Sequence, residues 1–138
     1  MAETFLLEIV TPYRLVLSEE VEELTAPGAA GEFGVLPGHT NLLTILRPGE
    51  VVYSRGGGKT FLAVGAGYAE VTAGKTTLLV DDAERADEID IGRARQALVE
   101  AEKKLEAVGT DDARALAEAT EAVEHWRARV SVAEKRGA

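Results

Sequence analysis

The 138-residue chain contains no cysteine. That excludes a disulfide framework, a thiolate metal site and a thiol nucleophile. Positive charge is in deficit: 15 lysines and arginines face 24 acids, for a net charge of −9 and a pI near 4.7. That argues against binding nucleic acid or anionic lipid through a broad basic face. The balance fits a protein that docks on basic patches of its partners. No apolar run approaches the roughly 20 residues of a membrane helix. The start, Met1-Ala2-Glu3-Thr4, carries an acid where a leader peptide carries positive charge. The chain is thus expected to stay in the compartment where it is made and to reach a membrane only through other proteins.

Proline is missing from the whole of residues 87–138, which hold only 3 of the 14 glycines. Gly and Pro punctuate turns, whereas Ala, Glu, Lys and Arg favour helix. Residues 1–86 accordingly read as an N-terminal β domain and residues 87–138 as a C-terminal α-helical one. In the first part, short apolar runs at 5–10, 13–17, 21–26, 42–46, 50–54, 59–64, 68–72 and 76–80 alternate with turn signals. Arg55-Gly56-Gly57-Gly58 and Ala73-Gly74-Lys75 are hairpin turns. The connections are too short for crossovers, so most strands are antiparallel. The expected architecture is a β-sandwich or flattened barrel.

In the second part, Ile91, Ala94, Leu98, Ala101, Leu105 and Val108 share one helical face. Asp90 is placed as the N-cap and Gly109 as the residue that ends the helix. Thr110 is placed to cap a second helix over 111–134. Its face carries Leu116, Ala119, Val123, Trp126, Val130 and Ala133. The short connection predicts an antiparallel two-helix hairpin. Four of these twelve seam positions are alanine, which buries little area at roughly 25 cal/mol per Å². Such a hairpin is not expected to be stable alone. It rests on the β domain, on a partner, or on each in turn.

The densest stretch is Gly31-Glu32-Phe33-Gly34-Val35-Leu36-Pro37-Gly38-His39. Pro37-Gly38 suits the centre of a type II turn. The stretch reads as a shaped loop with Glu32 and His39 at its rim, either a mere strand-to-strand corner or a contact surface. Catalytic motifs fail. Gly58-Lys59-Thr60 and Gly74-Lys75-Thr76 lack the P-loop's first glycine, having Tyr53 and Ala69 in its place, and no helix follows either. Gly65-Ala66-Gly67 puts Glu70 where a dinucleotide fingerprint needs its third glycine. The two histidines, His39 and His125, lie in different halves with no ligand spacing, so no metal site is expected. Paired acids such as Asp81-Asp82 read as solvated turn charges. No catalytic residues are assigned, and no enzyme activity is expected. One cluster remains: Ile89-Asp90-Ile91-Gly92-Arg93-Ala94 combines a helix N-terminus with an arginine, the chemistry of a small anion site.

Taken together, these segments resemble the epsilon subunit of bacterial F-type ATP synthases. The resemblance rests on residues 31–39 followed by Leu42-Leu43, on Leu46-Arg47-Pro48-Gly49, on the run from Val64 to Val71, and on Arg129-Val130-Ser131-Val132-Ala133-Glu134. It covers essentially the whole chain. It implies a non-catalytic central-stalk rotor subunit of a proton-translocating synthase. The implied partners are the gamma subunit, the c-ring and the catalytic alpha/beta subunits. The implied location is peripheral, on the cytoplasmic face of the bacterial plasma membrane. Glu32, Gly38 and His39 are implied at the c-ring end of the sandwich. The hairpin is implied to fold on the sandwich or to extend and inhibit ATP hydrolysis. Some members of that family bind ATP through Ile/Leu-Asp-x-x-Arg-Ala, which residues 89–94 match. The resemblance thereby assigns Glu84, Asp90, Arg93 and Arg129 to a regulatory ATP site. Glu100 and His125 stand where those members carry arginines, so binding is expected to be weak or absent. The alternatives are a free-standing ATP sensor and a generic sandwich adaptor.

Overall fold

A computed structural model describes residues 3–135. Met1 and Ala2, on which the reading of the N-terminus partly rests, lie outside the described residues. Ten strands precede two helices: β1 Phe5–Val10, β2 Leu15–Val21, β3 Glu23–Gly28, β4 Gly31–Val35, β5 Leu42–Leu46, β6 Gly49–Arg55, β7 Gly58–Val64, β8 Gly67–Thr72, β9 Lys75–Val80 and β10 Ala83–Arg85. A 3-10 turn, Ala86–Glu88, leads into α1 Ile91–Ala107 and then α2 Ala113–Glu134.

The strands form one sheet in the order β10-β7-β6-β3-β5-β8-β9-β1-β2, with β4 paired to β3. Every pairing is antiparallel except β1 with β9. The sheet curls until its ends approach. The Arg85 guanidinium of β10 reaches the Val16 carbonyl of β2 at 3.5 Å, and the Glu22 N–H, just after β2, bonds the Ser54 carbonyl of β6 at 2.8 Å. The expected flattened barrel followed by a helical hairpin is therefore observed. Alternation along β1 sends Phe5, Leu7 and Ile9 inward. They meet Leu24, Leu46, Leu62 and Leu78, all fully buried, in one continuous core.

The hairpin turns follow the glycines. Gly56 and Gly57, at φ +58° and +82°, form the β6–β7 turn. Gly67 serves close approach instead: a Cβ there meets the Leu79 carbonyl oxygen at 1.9 Å.

Several expectations are corrected. The stretch 31–39 is not one loop. Its first five residues are β4, because they find backbone partners along β3 from Val35↔Leu24 to Gly31↔Gly28. Only Leu36 to His39 form the turn, where the His39 N–H donates to the Leu36 carbonyl at 3.1 Å and Gly38 has φ +82°. That is the type II geometry expected of Pro37-Gly38. β2 begins at Leu15, two residues later than expected, because Thr11 to Arg14 close a turn with the Thr11 N–H on the Arg14 carbonyl. Gly109 does not adopt a left-handed cap. α1 ends at Ala107, and Val108, its C-cap, is in extended backbone. Thr110 is not the second N-cap. Asp112 is, its carboxylate accepting from the Ala115 N–H at 3.0 Å.

Candidate functional site

The hairpin lies on the β domain. α2 covers β6 and β7 and reaches β10. The contact is thin. Six residues of the two helices are buried, namely Ala94, Ala101, Val123, Ala128, Val132 and Ala133, and four of them are alanine. Ala63 of β7 and Ile89 complete the apolar layer, with Phe61, Ile91 and Trp126 at its edge. Ala128 and Val132 lie off the stripe expected from the sequence. α2 has two buried faces, one toward α1 and one toward the sheet, and the single-stripe reading found only the first. The signal was present in the small residues one turn apart, Ala128 and Val132.

Charge supplies what alanine does not. Arg129 projects from α2 and bridges two sandwich acids, with Nη2 2.5 Å from Asp82 Oδ2 and Nε 2.5 Å from Glu84 Oε1. Its guanidinium also stacks on Trp126, 4.2 Å from the ring centroid. Lys135 pairs with Glu50 of β6, whose second oxygen accepts from the Ser131 hydroxyl at 2.9 Å. In the reverse sense, Arg47 of the sandwich holds Glu124 of α2 at 2.5 Å. His125 Nε2 sits 3.0 Å from Asp82 Oδ1. Burial pushes the Asp82 carboxyl up, but His125 and Arg129 more than offset it, so the net shift is downward. Asp82 is therefore not the solvated turn charge expected of Asp81-Asp82. It is the centre of the interface.

Beside this cluster lies a cavity of about 650 Å³. Its wall includes Glu84, Asp90, Arg93 and Arg129, the four residues assigned from resemblance to an ATP site, together with Glu88 and Glu100. Asp90 caps α1, accepting from the Arg93 N–H at 3.2 Å. Four carboxylates thus face two guanidiniums, and one of those, Arg129, is already occupied by Asp82 and Glu84. His125 points to Asp82 rather than into the cavity wall.

At the other candidate surface, β4 separates the residues expected at one rim. Glu32 is exposed beside the β3–β4 turn, opposite Pro27. Gly38 and His39 lie beyond Val35, so three residues of strand, about 10 Å, part them from Glu32. His39 is half-buried, its Nδ1 2.6 Å from the Thr40 carbonyl. A third surface escaped sequence reading. Ile45, Tyr68 and Leu79 stand side by side in register across β5, β8 and β9. Val10 and Leu15 continue the row across β1 and β2. Ile45, Tyr68, Leu79 and Leu15 are about half exposed, and neighbouring Leu43 is 72% exposed. The row is visible only once the register is known.

Residues 4–86, the whole sandwich, match the family described as ATP synthase, Delta/Epsilon chain, beta-sandwich domain. The chain belongs to the ATP synthase delta/epsilon family. The ATP synthase epsilon chain of Geotalea daltonii is 49% identical over 137 residues, 99% of each chain. That of Geotalea uraniireducens is 54% identical over 112 residues, 81% of each. Among solved structures, a chain of the Euglena gracilis mitochondrial ATP synthase, seen as OSCP/F1/c-ring in rotational state 1, superposes with a TM-score of 0.78 at 26% identity. That match covers 95% of this chain and 81% of the other. A chain of the Tetrahymena thermophila central stalk/c-ring assembly shares the fold, with a TM-score of 0.59 at 12% identity over 94% of this chain and 98% of that one. The resemblance to epsilon chains drawn from the sequence is borne out. Delta/epsilon membership leaves the generic sandwich adaptor without support.

Proposed function

We propose that this chain is a non-catalytic central-stalk subunit of a proton-translocating ATP synthase. In this reading it couples proton flow to ATP synthesis and restrains ATP hydrolysis through its helical hairpin. Among the described residues no helix is long and apolar enough to cross a membrane. The chain works as a peripheral component at the cytoplasmic face of the bacterial plasma membrane, held there by its partners. The gamma subunit covers the apolar row Ile45–Tyr68–Leu79–Val10–Leu15. Such rows mark interaction surfaces when they are contiguous. Exposed Glu32, beside the β3–β4 turn, is the candidate contact to the c-ring, and the Gly38-His39 turn, at the other end of β4, is a separate candidate.

The observation that carries the reading is the contrast between two interfaces. The sandwich core is continuous and leucine-rich, whereas the hairpin is attached by alanines and ion pairs. A thin, charge-held contact is one that can open. The released hairpin extends along gamma toward the catalytic alpha/beta subunits. Tyr68→Asp, in the middle of the apolar row, tests the stalk reading. The variant folds, yet no longer co-purifies with gamma and the c-ring. Undiminished co-purification contradicts the assigned surface.

ATP is a weak regulatory ligand at most. The cavity beside Arg129 gathers the assigned residues, but each missing charge-assisted bond forgoes roughly 1.5–3 kcal/mol. Calorimetric titration of the isolated chain with ATP is expected to show a dissociation constant well above micromolar. Glu100→Arg restores a cation at the cavity wall and tightens binding about tenfold or more. Micromolar affinity in the unaltered chain overturns this part.

A further inference from the structure

We propose that the groove between α1 and α2 binds a small organic cation: an apolar body of aromatic size lies on the alanine floor against Trp126, and its ammonium group is held by Glu100. The site lies wholly within the hairpin and stands whether or not the hairpin ever leaves the sandwich.

The groove follows from the light seam. Helix axes pack about 8–10 Å apart, and the side chains at the contact fill the space between them. Here 6 of the 11 lining residues are alanine, and a cavity of about 630 Å³ remains between the helices. That volume falls within the roughly 300–1,000 Å³ of small-molecule sites. Ala97 and Ala101 of α1 and Ala115, Ala119 and Ala122 of α2 supply the floor. Ala97, Glu100 and Trp126 line both this groove and the cavity beside Arg129, so the two meet there. Arg129 covers part of the indole, 4.2 Å from its centroid, yet the ring still reaches the groove wall.

Charge chooses the occupant. The nearby ion pairs of the helices are made elsewhere: Arg114 with Glu118 at 3.3 Å, Arg127 with Glu102 at 3.8 Å and Arg95 with Glu134 at 3.5 Å. Among the described residues, no lysine or arginine nitrogen lies within 4.0 Å of the Glu100 carboxylate. Lys104, one turn further along α1, is the one cation in the groove wall, against Glu100 and Glu118. An unpaired carboxylate near an indole recognises an ammonium twice over, through a charge-assisted hydrogen bond and through the ring's quadrupole. An anion meets two carboxylates instead. The alanine floor offers a polar chain nothing to bond, whereas an apolar body leaves water on entering it. Because the walls come from both helices, the occupant ties α1 to α2 and stabilises the closed hairpin by mass action.

Trp126 is the only tryptophan of the chain, so its fluorescence reads the site in the intact, isolated protein. The probe is 4-phenylbutylamine, with 4-phenylbutanoate as the anion of like shape. At low salt the amine is expected to saturate the signal with a dissociation constant in the low millimolar range, as befits a ligand of about 11 non-hydrogen atoms. The butanoate binds at least about fivefold more weakly. Glu100 is exposed, so Glu100→Gln weakens the amine by about three- to fivefold and removes most of the preference over the anion. Lys104→Gln tightens the amine. Ala122→Leu, at an exposed position that lines the groove but not the neighbouring cavity, abolishes binding. Ala115→Leu does the same and serves if the first leucine variant does not fold. Failure of the amine to saturate, equal binding of amine and butanoate, or an unchanged preference in Glu100→Gln overturns the cation site. Undiminished binding in a folded leucine variant overturns the groove as its place.

Discussion

Arg129→Ala is the substitution from which the hairpin interface has most to lose. The side chain is only 15% exposed, and it meets Asp82 and Glu84 at 2.5 Å each while stacking on Trp126. Its removal takes away two charge-assisted bonds and leaves two partly buried carboxylates to repel each other. Removing one partner of a buried pair costs about 3–5 kcal/mol. Asp82 and Glu84 keep about a third of their surface in water, so the figure is discounted to about 2–3 kcal/mol. That corresponds to a shift of roughly 30- to 150-fold in the docking equilibrium. Amide hydrogen exchange reads it directly. Protection in α2 around Ala128 to Ala133 falls by that factor, while β8 and β9, which lie in the sandwich core, keep theirs. Arg129→Lys recovers less than half of the effect, because an ammonium cannot reproduce the guanidinium's planar fork across two acids. Protection in α2 within about twofold of the parent refutes the idea that charge holds the hairpin.

Two further outcomes follow from the geometry. Gly67→Ala drives a methyl group into the Leu79 carbonyl and costs about 3 kcal/mol or more of sandwich stability by backbone overpacking; denaturant melts of the isolated chain check it, and an unchanged midpoint contradicts the close approach. Asp82, with its carboxyl held below the ordinary value of 3.8, contributes to docking fully above that value and loses the contribution as pH falls through its depressed one. Trp126 fluorescence should therefore report release in strong acid, and Asp82→Asn should remove that transition.

Much of the sandwich was legible because its strands advertise themselves. Phe5, Leu7 and Ile9 alternate with Leu6, Glu8 and Val10, and the Gly56-Gly57 turn announces a hairpin. β4 was not legible: Gly31, Glu32 and Gly34 have poor strand propensity, and the segment is extended because β3 offers it a ladder. β10 is three residues long and exists through pairing with Leu62 to Val64. The helical hairpin was clear from periodicity, but α2's second face was hidden by the assumption of one stripe. Glu84, Asp90, Arg93 and Arg129 came together through resemblance, not through spacing. The His125–Asp82 contact joins residues 43 positions apart, 125 less 82, and no local pattern marks either partner. The apolar row across β5, β8, β9, β1 and β2 needs strand order and register before it can be seen at all.

The most direct measurement is ATP hydrolysis by the assembled synthase carrying this chain truncated after Glu88. The truncation removes both helices along with Ile89, and it leaves the sandwich strands, the apolar row and Glu32 in place. A hairpin that restrains catalysis predicts hydrolysis several-fold above that of the complex with the full chain, with assembly and proton-coupled synthesis retained. Hydrolysis equal to that of the full complex, with assembly intact, contradicts the regulatory role assigned to the helices.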